Sequence, residues 1–343
     1  MQVSTIGIDL AKNVFQVHGV DGQGKVVLTR QLRRKQVIEF FNKIPPCLIG
    51  MEACATSHYW ARELSKLGHT VRLIPPSYVK AYVKRSKNDA ADAAAICEAV
   101  TRPSMRFVPV KTAEQQAALM VHRTRDLLIR QRTQLINALR AHLAELGLIA
   151  EQGRDGLAKL VVIVSDESNL QSLPTMMRQA LQVVLNQLGS LQQQIGELDR
   201  CLQEQHRASE TSRRLESIPG IGVIGATAIS ATITDPSAFK SGRDLAAWIG
   251  LVPRQNSTGG KERLGGISKQ GDRYIRRLLV LGATAVVQQA QRHPDKYPWI
   301  VKLLAKKPAK LVAVAVANKT ARIAWAILTK GGTYRAPALA VAA

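Results

Sequence analysis

The first hundred residues alternate short apolar runs with amphipathic stretches, the pattern of strands interleaved with helices. Thr5–Ile8, Val14–Val20 and Lys25–Leu32 read as three strands, with a hairpin turn signal at Asp21-Gly22-Gln23-Gly24 between the last two. Lys35–Lys43 reads as a helix. Cys47–Met51, preceded by Pro46, reads as a buried strand, and Thr56–Leu67 as a helix that Ser57 can cap and Gly68 can end. His69–Ile74 is a further strand closed by Pro75-Pro76; Ser77–Lys84 and Asp89–Val100 follow as helices.

The order βββαβαβ, then helices, predicts an RNase H-like mixed sheet over residues 1–105. The pattern then changes. Thr112–Leu148 carries no strand signal, and Leu128, Leu135, Leu139, His142 and Leu146 share roughly one helix face. Ser165–Leu173 reads as a loop. Beyond Pro174, the residues Met177, Leu181, Val184, Leu188, Leu191, Ile195, Leu198 and Leu202 repeat at alternating spacings of four and three, an a/d heptad seam. It predicts a helix to about Leu215, serving either an intrachain hairpin or a dimerising coiled coil. Residues 106–214 therefore form a helical, coiled-coil region. Residues 215–335 read as mainly helical, with helices at Val223–Ile233, Phe239–Gly250, Tyr274–Gln289 and Lys310–Thr329 around a polar, glycine-rich stretch, Arg254–Gly271. Residues 336–343 read as a loose tail. The fold class is α/β followed by α.

Composition narrows the function. Of 343 residues, 48 are Lys or Arg and 25 are Asp or Glu, a net charge of +23. From Lys240 onward the count is 19 basic and 4 acidic, a net of +15. Such a chain is not built for small neutral substrates; it calls for a polyanion, most simply nucleic acid. The four cysteines, Cys47, Cys54, Cys97 and Cys201, form no Cys-x-x-Cys pair, so neither a zinc finger nor a disulfide framework is expected, and a reduced, cytoplasmic setting fits. No signal peptide is expected at the N-terminus. Leu311–Leu328 is interrupted by Asn318, Lys319 and Arg322, so no membrane association is expected.

Four carboxylates are candidates for chemistry. Asp9 lies in the apolar strand Ile6-Gly7-Ile8-Asp9, and Glu52 ends the strand Leu48-Ile49-Gly50-Met51. Asp89 and Asp92 share one face at the start of a helix, where Asp89 could instead be an N-cap and Asp92 could complement the helix dipole. Converging carboxylates repel one another unless a cation neutralises them, and oxygen donors suit Mg²⁺ or Mn²⁺. Two such ions can clamp the attacking and leaving oxygens of a phosphoryl transfer. Lys80, Lys84, Arg85 and Lys87 precede Asp89 as a basic strip able to hold a nucleic-acid backbone. Ile218-Pro219-Gly220-Ile221-Gly222 before a helix has the form of a helix-hairpin-helix turn, with Gly220 and Gly222 offering backbone N–H groups to phosphate; a mere tight turn between packed helices is the alternative. Ser257 sits in the glycine-rich stretch amid Arg254, Lys261, Arg263 and Lys269, with no histidine in the stretch to activate it; from the chain alone it reads as part of a loop.

Taken in order, the motifs resemble those of the DEDD transposases of the insertion sequence 110 family, most closely the 1111 subgroup. They are Gly7-Ile8-Asp9-x-Ala11-Lys12, Glu52-Ala53 followed by Tyr59-Trp60, Asp89-x-x-Asp92-Ala93, and Ile218-Pro219-Gly220-Ile221-Gly222. Gly250-Leu251-x-Pro253 and Ile267-Ser268-Lys269-Gln270-Gly271 follow, leading to Arg276-Arg277-x-Leu279. The resemblance implies a RuvC-like N-terminal domain with Asp9, Glu52, Asp89 and Asp92 as a metal-binding tetrad, Mg²⁺ or Mn²⁺ as cofactor, a coiled-coil middle and a C-terminal transposase domain. Its serine nucleophile matches Ser257 by motif, ahead of Ser241 and Ser268; many members have Gly directly after the serine, where Thr258 intervenes here. It further implies strand exchange through a 5′-phosphoserine link and a noncoding bridge RNA that pairs with donor and target DNA. A dimer-to-tetramer assembly in which two protomers share one active site, and a cytoplasmic, nucleoid-associated setting, are also implied. Arg254, Lys261, Arg263, Lys269, Arg273, Arg276 and Arg277 then become candidate nucleic-acid contacts. A water-using RuvC-like nuclease and a non-catalytic nucleic-acid binder are the competing readings.

Overall fold

A computed structural model describes residues 2–83, 88–151, 153–165 and 173–336. The chain divides into two compact units, residues 1–116 with 233–238, and residues 117–232 with 239–343.

The first unit is built on a five-stranded sheet of β1 (Thr5–Leu10), β2 (Val14–Val20), β3 (Val26–Arg33), β4 (Leu48–Glu52) and β5 (Thr70–Ile74). The spatial order is β3-β2-β1-β4-β5. The β1–β2–β3 meander is antiparallel, while β1, β4 and β5 run parallel. The Asp21 carboxylate closes the β2–β3 turn by accepting from the Gln23 and Lys25 amides, and Gly24 takes the left-handed conformation there (φ 81°).

The sheet is covered on both faces. Ile6, Ile8, Phe15, Val17, Ile49, Met51 and Leu73 form one core with Val37 and Phe41 of α1 (Val37–Asn42) and Trp60 and Leu64 of α2 (Ser57–Lys66). Ile74 packs with Val79 of α3 (Pro76–Val79) and with Ile96, Ala99 and Val100 of α4 (Asp89–Val100). Burial on both sides explains why β1 and β4 read as nearly continuous apolar runs. Ser57 does not cap α2: its hydroxyl is tied to the Cys54 backbone, one turn earlier. Of the expected helix Ser77–Lys84, the structure shows α3 followed by a 3₁₀ turn, Lys80–Tyr82. Residue 84 lies outside the described residues.

In the second unit, α5 (Ala113–Ala144, entering from the first unit) and α7 (Thr175–Ala208) run antiparallel, with α6 (Arg154–Ser165) beside them. Arg125 pairs with Asp199, and Arg132 donates to Gln192 at 2.7 Å. Further along, Leu139 and Leu143 bury against Leu160, Val164 and Leu181. The falling partner numbers on α7 show the opposed direction. The N-terminal half of the heptad seam, Leu181, Val184 and Leu188, thus faces this chain's own helices as an intrachain hairpin. Met177, at the seam's start, is exposed. The expected single helix to Leu215 breaks at Ser209, whose hydroxyl caps α8 (Glu210–Glu216), while His206 reaches across the break to Ser212 and Glu216.

The remaining helices are α9 (Val223–Thr232), α10 (Gly242–Ile249), α11 (Arg273–Arg292), α12 (Pro298–Leu304) and α13 (Ala309–Lys330). By length and composition α13 could cross a membrane. In the fold it is a packing helix, with Val312, Ala313, Val316, Ala317, Ala321 and Ala324 buried. The stretch expected as a loop is instead a hairpin of β6 (Pro253–Gln255) and β7 (Leu264–Ile267). Its tip, Thr258-Gly259-Gly260-Lys261, puts both glycines at positive φ (55° and 77°), the two-residue hairpin turn that matches strand twist.

Candidate active site

The carboxylates are placed by two glycines. Gly7 and Gly50 are partners across β1 and β4. A Cβ on Gly7 would drive into the Ala93 carbonyl and the Cys97 amide, and one on Gly50 would lie 2.7 Å from Val100 Cβ. Bare backbone at both positions lets α4 lie directly on the sheet. Side chains alternate along a strand, so Asp9 and Glu52, each two residues beyond its glycine, project to the face that α4 covers. The first turn of α4 brings Asp89 and Asp92 to the same end. Asp89 is not the cap, because Asn88 accepts from the Ala91 amide at 2.8 Å and performs that task.

The other three charges act on Asp9. The Asp9 carboxyl is pushed up from 3.8 to about 6, first by burial and then by the charges of Asp89, Asp92 and Glu52, against one backbone hydrogen bond from Leu10 that lowers it. Such a cluster suits a hard divalent cation, since all four groups offer oxygen only. Among the described residues, no three His, Cys, Asp or Glu side chains are grouped to hold an ion in this conformation. Lys80 stands exposed on the 3₁₀ turn after α3, whereas Lys84, Arg85 and Lys87 lie outside the described residues.

Ser257 lies on the β6–β7 arm, exposed along its length. Its hydroxyl oxygen accepts from the Arg263 amide at 3.2 Å. The root of the arm is held by backbone contacts that explain two glycine motifs. Gly250 ends α10 in the left-handed conformation (φ 81°), and a side chain there would strike Gln270; one on Gly271 would strike the Trp248 carbonyl. The Lys269 amide donates to the Gly250 carbonyl at 3.1 Å, with Lys269 itself at φ 56°. Ser241 caps α10 with its hydroxyl and is committed to that role.

The basic candidates divide by what holds them. Arg276 donates to the Ile249 and Gln270 carbonyls, both at 2.7 Å, joining the two ends of the arm. Arg254 reaches the Ser268 carbonyl, and Arg277 pairs with Asp126 while lying over the Tyr274 ring. Lys261, Arg263, Lys269 and Arg273 are exposed, and their side chains make no hydrogen bond or ion pair among the described residues. In the Pro-Gly turn, Gly220 (φ 86°) packs backbone to backbone against Gly282 of α11, whereas Gly222 is open. Tight helix packing therefore accounts for Gly220.

Sequence reasoning did not assign roles to Gly7, Gly50, Gly250 and Gly271. The signal for the first pair was present in the repeated apolar-Gly-apolar-acid pattern that ends at Asp9 and Glu52.

Comparison with known proteins decides the family. A transposase family model named for the DEDD motif of IS110 elements matches residues 6–148, and one described as Transposase IS116/IS110/IS902 family matches residues 212–298. A probable family 20 transposase of Pseudomonas aeruginosa is 52% identical over 338 residues, 98% of this chain and 99% of that one. The chain belongs to the IS110 family of insertion-sequence transposases. The transposase for element IS1328 of Yersinia enterocolitica is 41% identical over 97% of this chain and 98% of its own length. That for IS1111A of Coxiella burnetii is 39% identical over 97% and 92%, which places the chain in the 1111 subgroup. This IS110-family transposase is thus a DNA-cleaving and recombining enzyme, and DEDD chemistry implies a divalent metal.

Proposed function

We propose that this transposase exchanges DNA strands by serine attack on phosphorus, with an RNase H-like, RuvC-like acidic domain and the β6–β7 arm as the two halves of the reaction centre. Asp9, Glu52, Asp89 and Asp92 would hold Mg²⁺ or Mn²⁺, which supplies charge neutralisation at the scissile phosphate. Ser257 attacks phosphorus and displaces a 3′-hydroxyl, leaving a 5′-phosphoserine link, and the 3′-hydroxyl of the other DNA reverses the step without hydrolysis. Lys261, Arg263, Lys269, Arg273, Lys80 and the Gly222 turn serve the nucleic-acid backbone, the sequence-independent part of binding. A bridge RNA supplies sequence by base pairing, a division of labour known from other RNA-guided enzymes. The helical region 106–214 mediates assembly of a dimer or tetramer that pairs the acidic domain of one protomer with the serine of another. The setting is cytoplasmic and nucleoid-associated.

The observation that carries the acidic half of this reading is the seating of α4 on Gly7 and Gly50, which brings Asp89 and Asp92 to Asp9 and Glu52 so that their charges help raise the Asp9 carboxyl. The test is Asp9→Asn. Strand cleavage in Mg²⁺ is expected to fall at least about 100-fold, while the variant purifies with the same discrete RNA and binds DNA as the wild type does. A raised folded-state value means Asp9 favours folding when protonated, below about 3.8, and that this advantage is lost as pH rises through about 6. In chelator, Asp9→Asn should therefore melt above the wild type at pH 8, with the gap closing toward pH 4. Wild-type cleavage by the variant would remove the metal assignment.

A further inference from the structure

Ser257 must lose a proton when it attacks phosphorus, and the register of its own hairpin names the group that takes it. Thr258 pairs with Lys261, the Asn256 amide donates to the Arg263 carbonyl at 2.9 Å, and Gln255 stands opposite Leu264. Counting inward from either side sets Glu262 directly across from Ser257. The flanking pairs carry the ladder hydrogen bonds, so this is a non-hydrogen-bonded pair. In such a pair, opposed Cβ atoms lie closest, about 4.5–5.5 Å apart. Period two puts Ser257 and Glu262 on one face of the arm, and Asn256, Lys261 and Arg263 on the other.

Two further observations support the pairing. A regular ladder would return the Arg263 N–H to the Asn256 carbonyl; here it donates to Ser257 Oγ at 3.2 Å. That amide nitrogen is bonded to the carbonyl carbon of Glu262, so the hydroxyl leans onto the segment from which Glu262 projects. The contact occupies a lone pair of Oγ and leaves its proton to be given away. Second, acids are scarce here. Between Lys240 and the C-terminus there are four: Asp244, Glu262, Asp272 and Asp295. Asp272 caps α11, Asp244 accepts from the Lys240 amide at the start of α10, and Asp295 lies in the 3₁₀ turn Pro294–Lys296. Glu262 alone stands on the arm, exposed, with no hydrogen bond or ion pair among the described residues. An idle carboxylate on a surface that meets phosphate only repels its substrate.

We propose that Glu262 is the general base for Ser257. The proposal rests on the serine reading above and deepens it. As the Oγ–P bond forms, the hydroxyl proton passes to Glu262; the P–O3′ bond breaks and the leaving oxygen takes a proton from water, releasing hydroxide. In the return step the incoming 3′-hydroxyl gives its proton to that hydroxide and attacks phosphorus, the Oγ–P bond breaks, and Oγ recovers its proton from Glu262. Lys261 and Arg263, on either side of Glu262 in the chain, offset its charge toward DNA.

The test is the pH–rate profile for covalent protein–DNA adduct formation. It uses the full-length protein with the RNA that copurifies and element-end DNA labelled on the 5′-phosphate side of the break. Glu262→Gln is expected to slow adduct formation about 10²–10⁴-fold and to lose the rising limb of the wild-type profile, with DNA binding unchanged; Glu262→Asp should recover part of the rate. An unchanged rate and profile in Glu262→Gln overturns the proposal and leaves the serine reading intact. Parallel loss of DNA binding overturns it too, making Glu262 a structural part of the arm. Hydrolytic cleavage without adduct by the wild type would instead remove the serine reading itself.

Discussion

The acidic face and the serine arm reach their positions by opposite means. Asp9 and Glu52 stand on a sheet buried on both sides, and Asp89 and Asp92 on the helix that two glycines allow to touch it. Ser257 stands on an exposed two-stranded ribbon, held at its root by glycine contacts, by Arg276 and by Arg254 on the Ser268 carbonyl. One half is rigid through packing and the other is aimed through backbone hydrogen bonds. Damage to the two halves should therefore look different. A lesion in the packing beneath the acidic face should cost stability and activity together, whereas one at the arm's root should cost activity first.

The strongest way to break the contrast is on the acidic side. Gly7→Val forces a branched side chain into the Ala93 carbonyl and the Cys97 amide. It should destabilise the protein by about 3 kcal/mol, read by chemical denaturation, and cleavage should fall with it as α4 lifts Asp89 and Asp92 away from Asp9 and Glu52. A variant as stable as the wild type would mean that α4 does not rest on the sheet as described.

The arm's root provides the finer test. Arg276→Gln removes a guanidinium that bridges the Ile249 and Gln270 carbonyls. Cleavage should drop about 10–100-fold, as expected when a nucleophile is misplaced without being removed. The melting temperature should move little, and the salt dependence of DNA binding should keep its slope. A slope reduced by about 1 would show that Arg276 instead meets a phosphate.

The same difference explains what could be read from the chain. Strands β1 to β5 follow from apolar runs and turn signals, and Asp9 and Glu52 stood out because a carboxylate at the end of such a run needs a reason. The arm was opaque. Its strands are three and four residues long, exposed except at the half-buried Ile267, and carry no apolar alternation to mark them. Only Gly259-Gly260 hinted at a hairpin, and a glycine pair in a polar stretch reads equally well as a loop. The heptad seam was legible as a pattern but not in its partner. Leu181 and Leu188 would look the same facing another protomer as they do facing Leu139 and Leu143 of their own chain. Arg276 and Arg277 read alike from the chain, as neighbouring candidate nucleic-acid contacts; the fold distinguishes them, with one donating to carbonyls and the other pairing with Asp126.

The central claim is that the arm supplies the nucleophile and the acidic face makes it effective. The most direct measurement is a denaturing gel of end-labelled element DNA incubated in Mg²⁺ with the wild type and with Ser257→Ala. The account predicts a protease-sensitive protein–DNA adduct joined through a 5′-phosphate in the wild type, and neither adduct nor cleavage with Ser257→Ala. Cleavage of normal extent by Ser257→Ala, with free 5′-phosphate ends, would contradict it and identify water as the nucleophile.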